Sequence, residues 1–144
     1  MKDIILIGGT KAGKTTLLRV LKGKKYQEID IRTQSLEFEE QVIDTPGEYI
    51  ENRQYYTALI SAAQEAKIIA LIADATANQF FLPPTFASIF TRPVIGVVTK
   101  VDAAEADVKY AKDILKMAGV QKIFSTSSLT GKGIEELSNY ISDK

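Results

Sequence analysis

The chain has 144 residues, 18 basic and 18 acidic side chains, and neither cysteine nor histidine. These counts exclude disulfides, thiol and imidazole catalysis and most zinc sites, and a net charge of zero argues against a general nucleic-acid binder. The length and the 45% hydrophobic content are typical of one soluble globular domain, so we expect residues 1–144 to form a single domain.

The amino-terminal residues indicate a compartment. Residues 1–7 lead directly into a short apolar run, without the longer apolar segment and cleavage site of a signal peptide. No apolar run in the chain reaches the length of about 18 residues that a membrane-spanning helix needs. The expected compartment is therefore the cytoplasm.

Apolar runs alternate with amphipathic stretches along the chain. Near-continuous apolar runs, typical of strands in a parallel sheet covered on both faces, occur at residues 4–7, 67–73 and 93–98. Shorter strands are predicted at residues 41–43 and 122–124. Helical spacing of apolar residues occurs at residues 14–22, 53–65, 104–118 and 133–141. Gly119 marks a helix end, and residues 35–39 are typical of an edge strand. The alternation predicts an α/β doubly wound sheet, in which ligands bind at loops beyond the strand carboxyl ends.

The loop after the first predicted strand, residues 8–15, reads Gly-Gly-Thr-Lys-Ala-Gly-Lys-Thr. It matches the phosphate-binding pattern G-x-x-x-x-G-K-[ST] and lies between a strand and a helix, as that pattern requires. Glycines allow backbone N–H groups to surround a phosphate, and the helix N-terminus adds partial positive charge. We expect Lys14 to contact the β- and γ-phosphates and Thr15 to bind Mg²⁺.

The residues predicted to bind phosphate belong to this loop and to the first helical turn. They are Gly8, Lys11, Ala12, Gly13, Lys14, Thr15 and Thr16. A second interpretation of Lys11 is a solvated surface lysine.

Three further positions are predicted to bind Mg²⁺ or the γ-phosphate. Asp44 ends a predicted strand and begins the sequence Asp-Thr-Pro-Gly, so its carboxylate can hold Mg²⁺ through a water while the Gly47 N–H faces the γ-phosphate. A plain turn is the alternative for this tetrapeptide. Thr33 is the predicted third Mg²⁺ ligand, from a loop that orders around triphosphate, although a threonine before an edge strand is commonplace.

Glu48, directly after Gly47, joins Lys14 and Gly47 in the predicted catalytic set. A glutamate can accept a proton from water, but at about 4 Å from a γ-phosphate it meets a repulsion of roughly 4 kcal/mol at an effective dielectric near 20. We therefore expect either slow hydrolysis or a Glu48 that points away from the phosphate. The alternative is that Glu48 favours the N-terminus of the next helix.

The residues Thr99-Lys100-Val101-Asp102 follow the fourth apolar run. Guanine presents two adjacent donors that one carboxylate accepts together, and adenine has no such edge, so Asp102 is the predicted base reader. The Lys100 stem can pack on the base, and Thr99 with Ser127-Ser128 completes the predicted base site. The alternative is that Asp102 caps a helix that starts at Ala103.

These loops, in this order, resemble those of the Ras-like P-loop GTPases over nearly the whole chain. The finer pattern is similar to the EutP/PduV family of ethanolamine and propanediol utilisation. That similarity rests on Lys14-Thr15-Thr16-Leu17, Asp44 through Arg53, Phe81 through Phe90 with Pro83-Pro84, and Pro93 through Asp102. Its most specific part is Glu48 through Arg53, because the generic GTPase pattern assigns those residues no role.

The resemblance implies a three-layer P-loop NTPase fold with a mostly parallel sheet and one antiparallel edge strand. It also implies a small Mg²⁺-dependent protein that binds GTP or GDP, in the cytoplasm and associated with a bacterial microcompartment shell or another protein. Thr99 stands where the commoner base-reading pattern has Asn, which loosens the guanine preference and leaves ATP as a second nucleotide.

Two other functions stay open at this point. An acetate-kinase activity has been attached to part of the family, and an acyl-phosphate-forming kinase needs no histidine because its acceptor carboxylate is already a nucleophile. Arg53 is the candidate acceptor clamp for that reaction. A module that holds nucleotide without turnover is the other alternative. The predicted sheet and loops use nearly all of the length, leaving little for a second substrate domain, so the slow GTPase ranks first.

Overall fold

The computed structural model describes residues 2–9, 12–25, 42–44, 54–77 and 82–143. Within these ranges the strands are β1 (Lys2–Gly8), β2 (Val42–Asp44), β3 (Ala66–Asp74), β4 (Val94–Thr99) and β5 (Ile123–Ser125). The helices there are α1 (Lys14–Lys25), α2 (Gln54–Ala63), α3 (Val108–Met117) and α4 (Ile134–Ser142), with a short 3₁₀ helix at Phe86–Ile89. The edge strand predicted at residues 35–39 lies outside the described residues.

The strands form one sheet in the order β2-β1-β3-β4-β5, and each neighbouring pair is parallel. Parallel strands end at the same edge of a sheet, so this edge carries the last residues of all five strands. Those residues are Gly8, Asp44, Asp74, Thr99 and Ser125. The predicted α/β class is confirmed, and the predicted ligand loops leave the sheet from this one edge.

Helices cover both faces of the sheet. On one face, Leu59 of α2 and Leu115 of α3 pack in a buried cluster with Ile5, Ile69 and other alternate strand residues. On the other face, α1 and α4 pack on the remaining strand residues, and that cluster includes Leu17, Leu18, Leu21, Ile68, Ile134 and Leu137. Alternate residues of β1 and β3 therefore face opposite layers, which explains why both strands are continuously apolar. The result is the predicted three-layer arrangement.

The start of α3 differs from the prediction. A helix was expected from residue 104, but residues 101–106 form turns and α3 begins at Val108. The Asp107 side chain caps the helix by accepting a hydrogen bond from the Tyr110 N–H, and the Asp107 N–H donates to the Ala75 carbonyl at 2.7 Å. This tertiary bond beyond the end of β3 outweighs the helix propensity of the preceding alanines. The interpretation of Asp102 as a cap is therefore wrong.

The end of α3 agrees with the prediction. The Gly119 N–H donates to the Lys116 carbonyl, and the Val120 N–H donates to the Leu115 carbonyl. This pair of bonds satisfies carbonyls that the helix leaves without partners, and it returns Val120, which is 3% exposed, to the core.

Gly133, the residue before α4, has φ +74, and a Cβ built there would lie 2.0 Å from the Ser125 carbonyl oxygen. Gly133→Ala combines a left-handed backbone with a collision against the main chain at the end of β5. We expect it to lower the free energy of unfolding by roughly 2–5 kcal/mol, measured by urea denaturation followed by circular dichroism.

Gly131→Ala is the matched control for Gly133→Ala. Gly131 has φ +88, but a Cβ there meets nothing within 4 Å. Its cost should be limited to the backbone term of about 1–2 kcal/mol. Equal losses for the two variants would show that the contact with Ser125 is unimportant.

Candidate functional site

The phosphate loop closes tightly at the start of α1. The Ala12 N–H donates to the Gly9 carbonyl at 3.2 Å, and the Leu17 N–H donates to the Gly13 carbonyl at 2.9 Å. Gly13 has φ +91, a conformation that favours glycine, and this turns the chain directly into α1 at Lys14. The helix therefore points its N-terminus at the carboxyl edge of the sheet.

Lys14 lies at the centre of this loop. Its side chain is buried, and its ammonium donates to the Gly8 carbonyl at 2.9 Å and to the Gly9 carbonyl. These bonds hold a positive charge inside the curve of the loop, where the sequence predicts the phosphates. The fixed charge and the helix N-terminus together make the loop suited to an anion.

Two of the residues predicted to bind Mg²⁺ belong to elements that adjoin the phosphate loop. Thr15, in the first turn of α1, is exposed. Asp44 ends β2 and is paired in register with Gly8, the residue that opens the phosphate loop. A hydroxyl and a carboxylate are ligands that Mg²⁺ prefers, so this donor set fits the ion. The third predicted donor, Thr33, lies outside the described residues.

Four of the five predicted base-binding residues line a cleft of about 430 Å³ next to the phosphate loop. Residues from four segments line it: the start of α1, the turn after β3 with Thr76, the end of β4 with the loop that follows, and the loop after β5. They include Gly13, Thr16, Thr99, Lys100, Asp102, Ser128 and Leu129. Gly13 and Thr16 also belong to the predicted phosphate site, so the two sites that were predicted separately adjoin.

Asp102 lies in an exposed turn on the wall of this cleft. The turn is held by main-chain bonds, because the Val101 N–H donates to the Thr126 carbonyl and the Ala103 N–H donates to the Lys100 carbonyl. The acceptor oxygens of this exposed carboxylate are therefore accessible to a ligand in the cleft.

Ser127 and Ser128 take different positions. Ser127 is fully buried behind the cleft, where its hydroxyl oxygen accepts from the Thr130 N–H and its own N–H donates to the Lys132 carbonyl. Ser128 lines the cleft itself. Ser127 therefore shapes the loop that presents Ser128.

Thr99 connects the base cleft to the phosphate loop. Its buried hydroxyl donates to the Ala12 carbonyl at 2.7 Å, across 87 positions of sequence. The hydroxyl proton is therefore used in a hydrogen bond to the phosphate loop. An asparagine at this position would offer an amide with further donors and acceptors.

Thr99→Val should leave the buried Ala12 carbonyl without this partner and loosen the phosphate loop. We expect a loss of about 1–3 kcal/mol in the free energy of unfolding, and about tenfold weaker affinity for GDP. Thr99→Ser, which keeps the hydroxyl, is the control. Denaturation and calorimetric titration check both quantities, and a Val variant that matches the Ser variant would refute the role of this bond.

Asp74 and Thr76 were not among the predicted site residues. Asp74 ends β3 at the same edge of the sheet, and Thr76 follows in the turn after that strand. The Asp74 carboxylate accepts from the Lys100 ammonium at 2.8 Å, from the Thr76 N–H at 2.8 Å and from the Thr76 hydroxyl at 2.7 Å. Burial acts to raise the pKa of Asp74, but the bonds from Lys100 and Thr76 outweigh it and hold the pKa below its ordinary value. An acidic residue at the end of an apolar strand was the available signal.

Several predicted residues fall outside the part of the chain that the structure describes. They are Lys11, Thr33, Gly47 and Glu48, and also Arg53. For Asp44 only the backbone position is described. The assignments of these residues stay predictions.

The described residues include the helices α1 to α4. None of the helices there combines the length and the apolar character needed to cross a bilayer.

The fold and the site define a P-loop GTPase architecture. The solved structure titled as a probable GTP-binding protein engB superposes with a TM-score of 0.60 at 19% identity, over 97% of this chain and 96% of that chain. Translation elongation factor SelB from Methanococcus maripaludis superposes with a TM-score of 0.57 at 25% identity, over 97% of this chain and 34% of that chain. The predicted fold class is confirmed.

The chain belongs to the PduV-EutP family, described as ethanolamine utilisation - propanediol utilisation, whose model matches residues 1–143. It is 42% identical to the propanediol utilization protein PduV of Citrobacter freundii, over 100% of this chain and 95% of that protein. It is 31% identical to the probable acetate kinase EutP of Escherichia coli K12, over 98% of this chain and 89% of that protein. GTPase Era of Erythrobacter litoralis is 27% identical over 94% of this chain and 53% of its own length.

Proposed function

We propose that this chain is a small Mg²⁺-dependent guanine-nucleotide-binding protein that hydrolyses GTP slowly and works in ethanolamine or propanediol utilisation. The observation that carries the proposal is the direct connection between two sites. The phosphate loop with buried Lys14 and the cleft with Asp102 adjoin at one sheet edge, and the Thr99 hydroxyl joins them through the Ala12 carbonyl.

The phosphate end of the site binds by charge and by backbone geometry. Lys14 exchanges its bonds to the Gly8 and Gly9 carbonyls for the β- and γ-phosphate oxygens, which are stronger acceptors because they are charged. Thr15, with Asp44 through water, holds Mg²⁺, which when bound supplies the charge that neutralises these phosphates. The N-terminus of α1 adds its partial charge.

The nucleoside end reads guanine through one carboxylate. Asp102 accepts the N1–H and N2–H donors of the base. The base lies along the methylene stem of Lys100, which passes close to Gly13. Leu129, which is 87% exposed on the cleft wall, gains an apolar partner when a base binds.

The proposal also includes a slow rate of GTP hydrolysis and a cellular setting. Glu48 next to the predicted γ-phosphate contact of Gly47 favours slow turnover, because a second negative charge near the phosphate opposes attack. The protein acts in the cytoplasm, in association with a microcompartment shell or another protein. The family membership and the match to PduV support the catabolic setting.

Single-turnover hydrolysis tests the reaction. With protein in excess over GTP and Mg²⁺ present, we expect phosphate release that is complete over hours and absent for Lys14→Ala. Tight GTP binding with no phosphate release would replace the GTPase with a nucleotide-bound interaction module. Absence of any GTP binding would refute the proposal.

A carboxylate kinase is the second candidate, and the match to the probable acetate kinase EutP favours it. In that reaction an acetate oxygen attacks the γ-phosphorus of ATP or GTP, the bond to the β-phosphate breaks, and acetyl phosphate leaves with the nucleoside diphosphate. Incubation with acetate, Mg²⁺ and either nucleotide, followed by hydroxylamine trapping, detects the product. Acetyl phosphate above the level of a Lys14→Ala sample would place this activity ahead of hydrolysis.

A further inference from the structure

We propose that Asp74 is a positioning residue of the nucleotide site, which fixes Lys100 as the surface on which the nucleoside rests. The inference rests on the proposed function, because it assigns the cleft to a nucleoside. It adds a residue that neither the base-reading motif nor the phosphate loop contains.

Hydrogen bonds from Lys100 and Thr76 fix the position of the Asp74 carboxylate. The Asp74 side chain is 11% exposed, and its carboxylate accepts a hydrogen bond from the Lys100 ammonium at 2.8 Å. Two bonds from Thr76, one from its N–H and one from its hydroxyl, orient the same carboxylate. The acceptor is therefore held rigidly before Lys100 reaches it, and a charged acceptor in such a setting makes a strong bond.

Lys100 itself is in an unusual conformation. Its φ is +61, in the left-handed region that residues with a Cβ rarely adopt. The Ala103 N–H bonds to its carbonyl, and the ammonium bond to Asp74 fixes its far end. A side chain fixed at both ends presents its methylene stem to the cleft beside Gly13.

The ion pair with Asp74 also keeps the Lys100 ammonium away from the phosphates. A lysine beside a nucleotide site tends to reach for phosphate, and Lys14 already fills that role from the loop. With its charge directed to Asp74, Lys100 contributes apolar surface to the base instead of charge to the phosphates. We therefore expect Asp74 to affect affinity for the nucleoside and to leave phosphate binding unchanged.

The test compares Asp74→Asn with Asp107→Asn, which removes a carboxylate that caps α3 outside the cleft. Asp74→Asn should weaken GDP and GTP equally, by about tenfold, while Asp107→Asn leaves both unchanged. Tripolyphosphate, used as a competing probe, should bind both variants as it binds the unaltered protein. Isothermal titration supplies the affinities, and thermal melts show whether each variant is folded.

Lys100→Met, which keeps the stem but lacks the ammonium, provides the second variant. If Asp74 acts through Lys100, adding Asp74→Asn to Lys100→Met should cause no further loss of GDP affinity. Unchanged GDP affinity for Asp74→Asn, an equal loss of tripolyphosphate affinity, or additive losses in the double variant would each overturn the inference. Absence of GDP binding by the unaltered protein would instead refute the proposed function, and this inference with it.

Discussion

Lys14→Ala should abolish GTP binding. The structure holds the Lys14 ammonium inside the phosphate loop, within hydrogen-bond distance of the Gly8 and Gly9 carbonyls. Its removal deletes a charge-assisted contact to the phosphates, and it leaves two loop carbonyls facing the incoming anion. We expect the affinity for GTP to fall by at least about 100-fold, measured by titration in the presence of Mg²⁺.

Lys109→Ala is the matched control for this loss, because Lys109 is an exposed lysine in the first turn of α3. It removes the same charge from the protein and should leave GTP affinity unchanged. Both variants should unfold cooperatively in urea. Retained GTP affinity in a folded Lys14→Ala protein would contradict the assignment of residues 8–15 as a phosphate loop.

Asp102→Ala should reduce the preference for guanine. The carboxylate is the acceptor proposed for two guanine donors, and it stands in an exposed turn whose fold depends on main-chain bonds. Its loss should weaken GDP by about 10- to 100-fold and leave ADP unchanged. Competition of both nucleotides against a fluorescent analogue measures the two affinities in one experiment.

Asp102→Asn should change the nucleotide preference of the site from guanine toward xanthine. Xanthine carries a carbonyl oxygen where guanine has its exocyclic amine, and an asparagine amide can donate to that oxygen. Asp102→Asn should therefore lower the affinity for GDP and raise the affinity for xanthosine diphosphate. Glu105→Gln, which alters another acidic residue on the cleft wall, should change neither. Indifference of both affinities to position 102 would contradict the base assignment.

The parts of the fold that the sequence predicted depend on local signals. Continuous apolar runs marked β1, β3 and β4 within one or two residues of their ends, because strands buried on both faces require them. The phosphate loop was also predictable from a local signal, since its glycines, Lys14 and Thr15 lie within eight consecutive residues. The end of α3 followed from Gly119.

The parts that were not predicted depend on contacts between distant residues. The delayed start of α3 comes from the bond of the Asp107 N–H to the Ala75 carbonyl, which residue spacing does not indicate. The link from Thr99 to Ala12 spans 87 positions. Asp74 and Lys100 are 26 positions apart and meet only because β3 and β4 pair in register, Asp74 beside Thr99. Such pairings decide how a site is supported, whereas motifs decide where it lies.

The most direct test of the guanine-nucleotide site is a titration of the unaltered protein with GDP and, separately, with ADP, both with Mg²⁺. The proposed base contact predicts that GDP binds at least about tenfold more tightly than ADP, because only guanine presents two donors to the Asp102 carboxylate. Equal affinities for the two nucleotides would contradict the assignment.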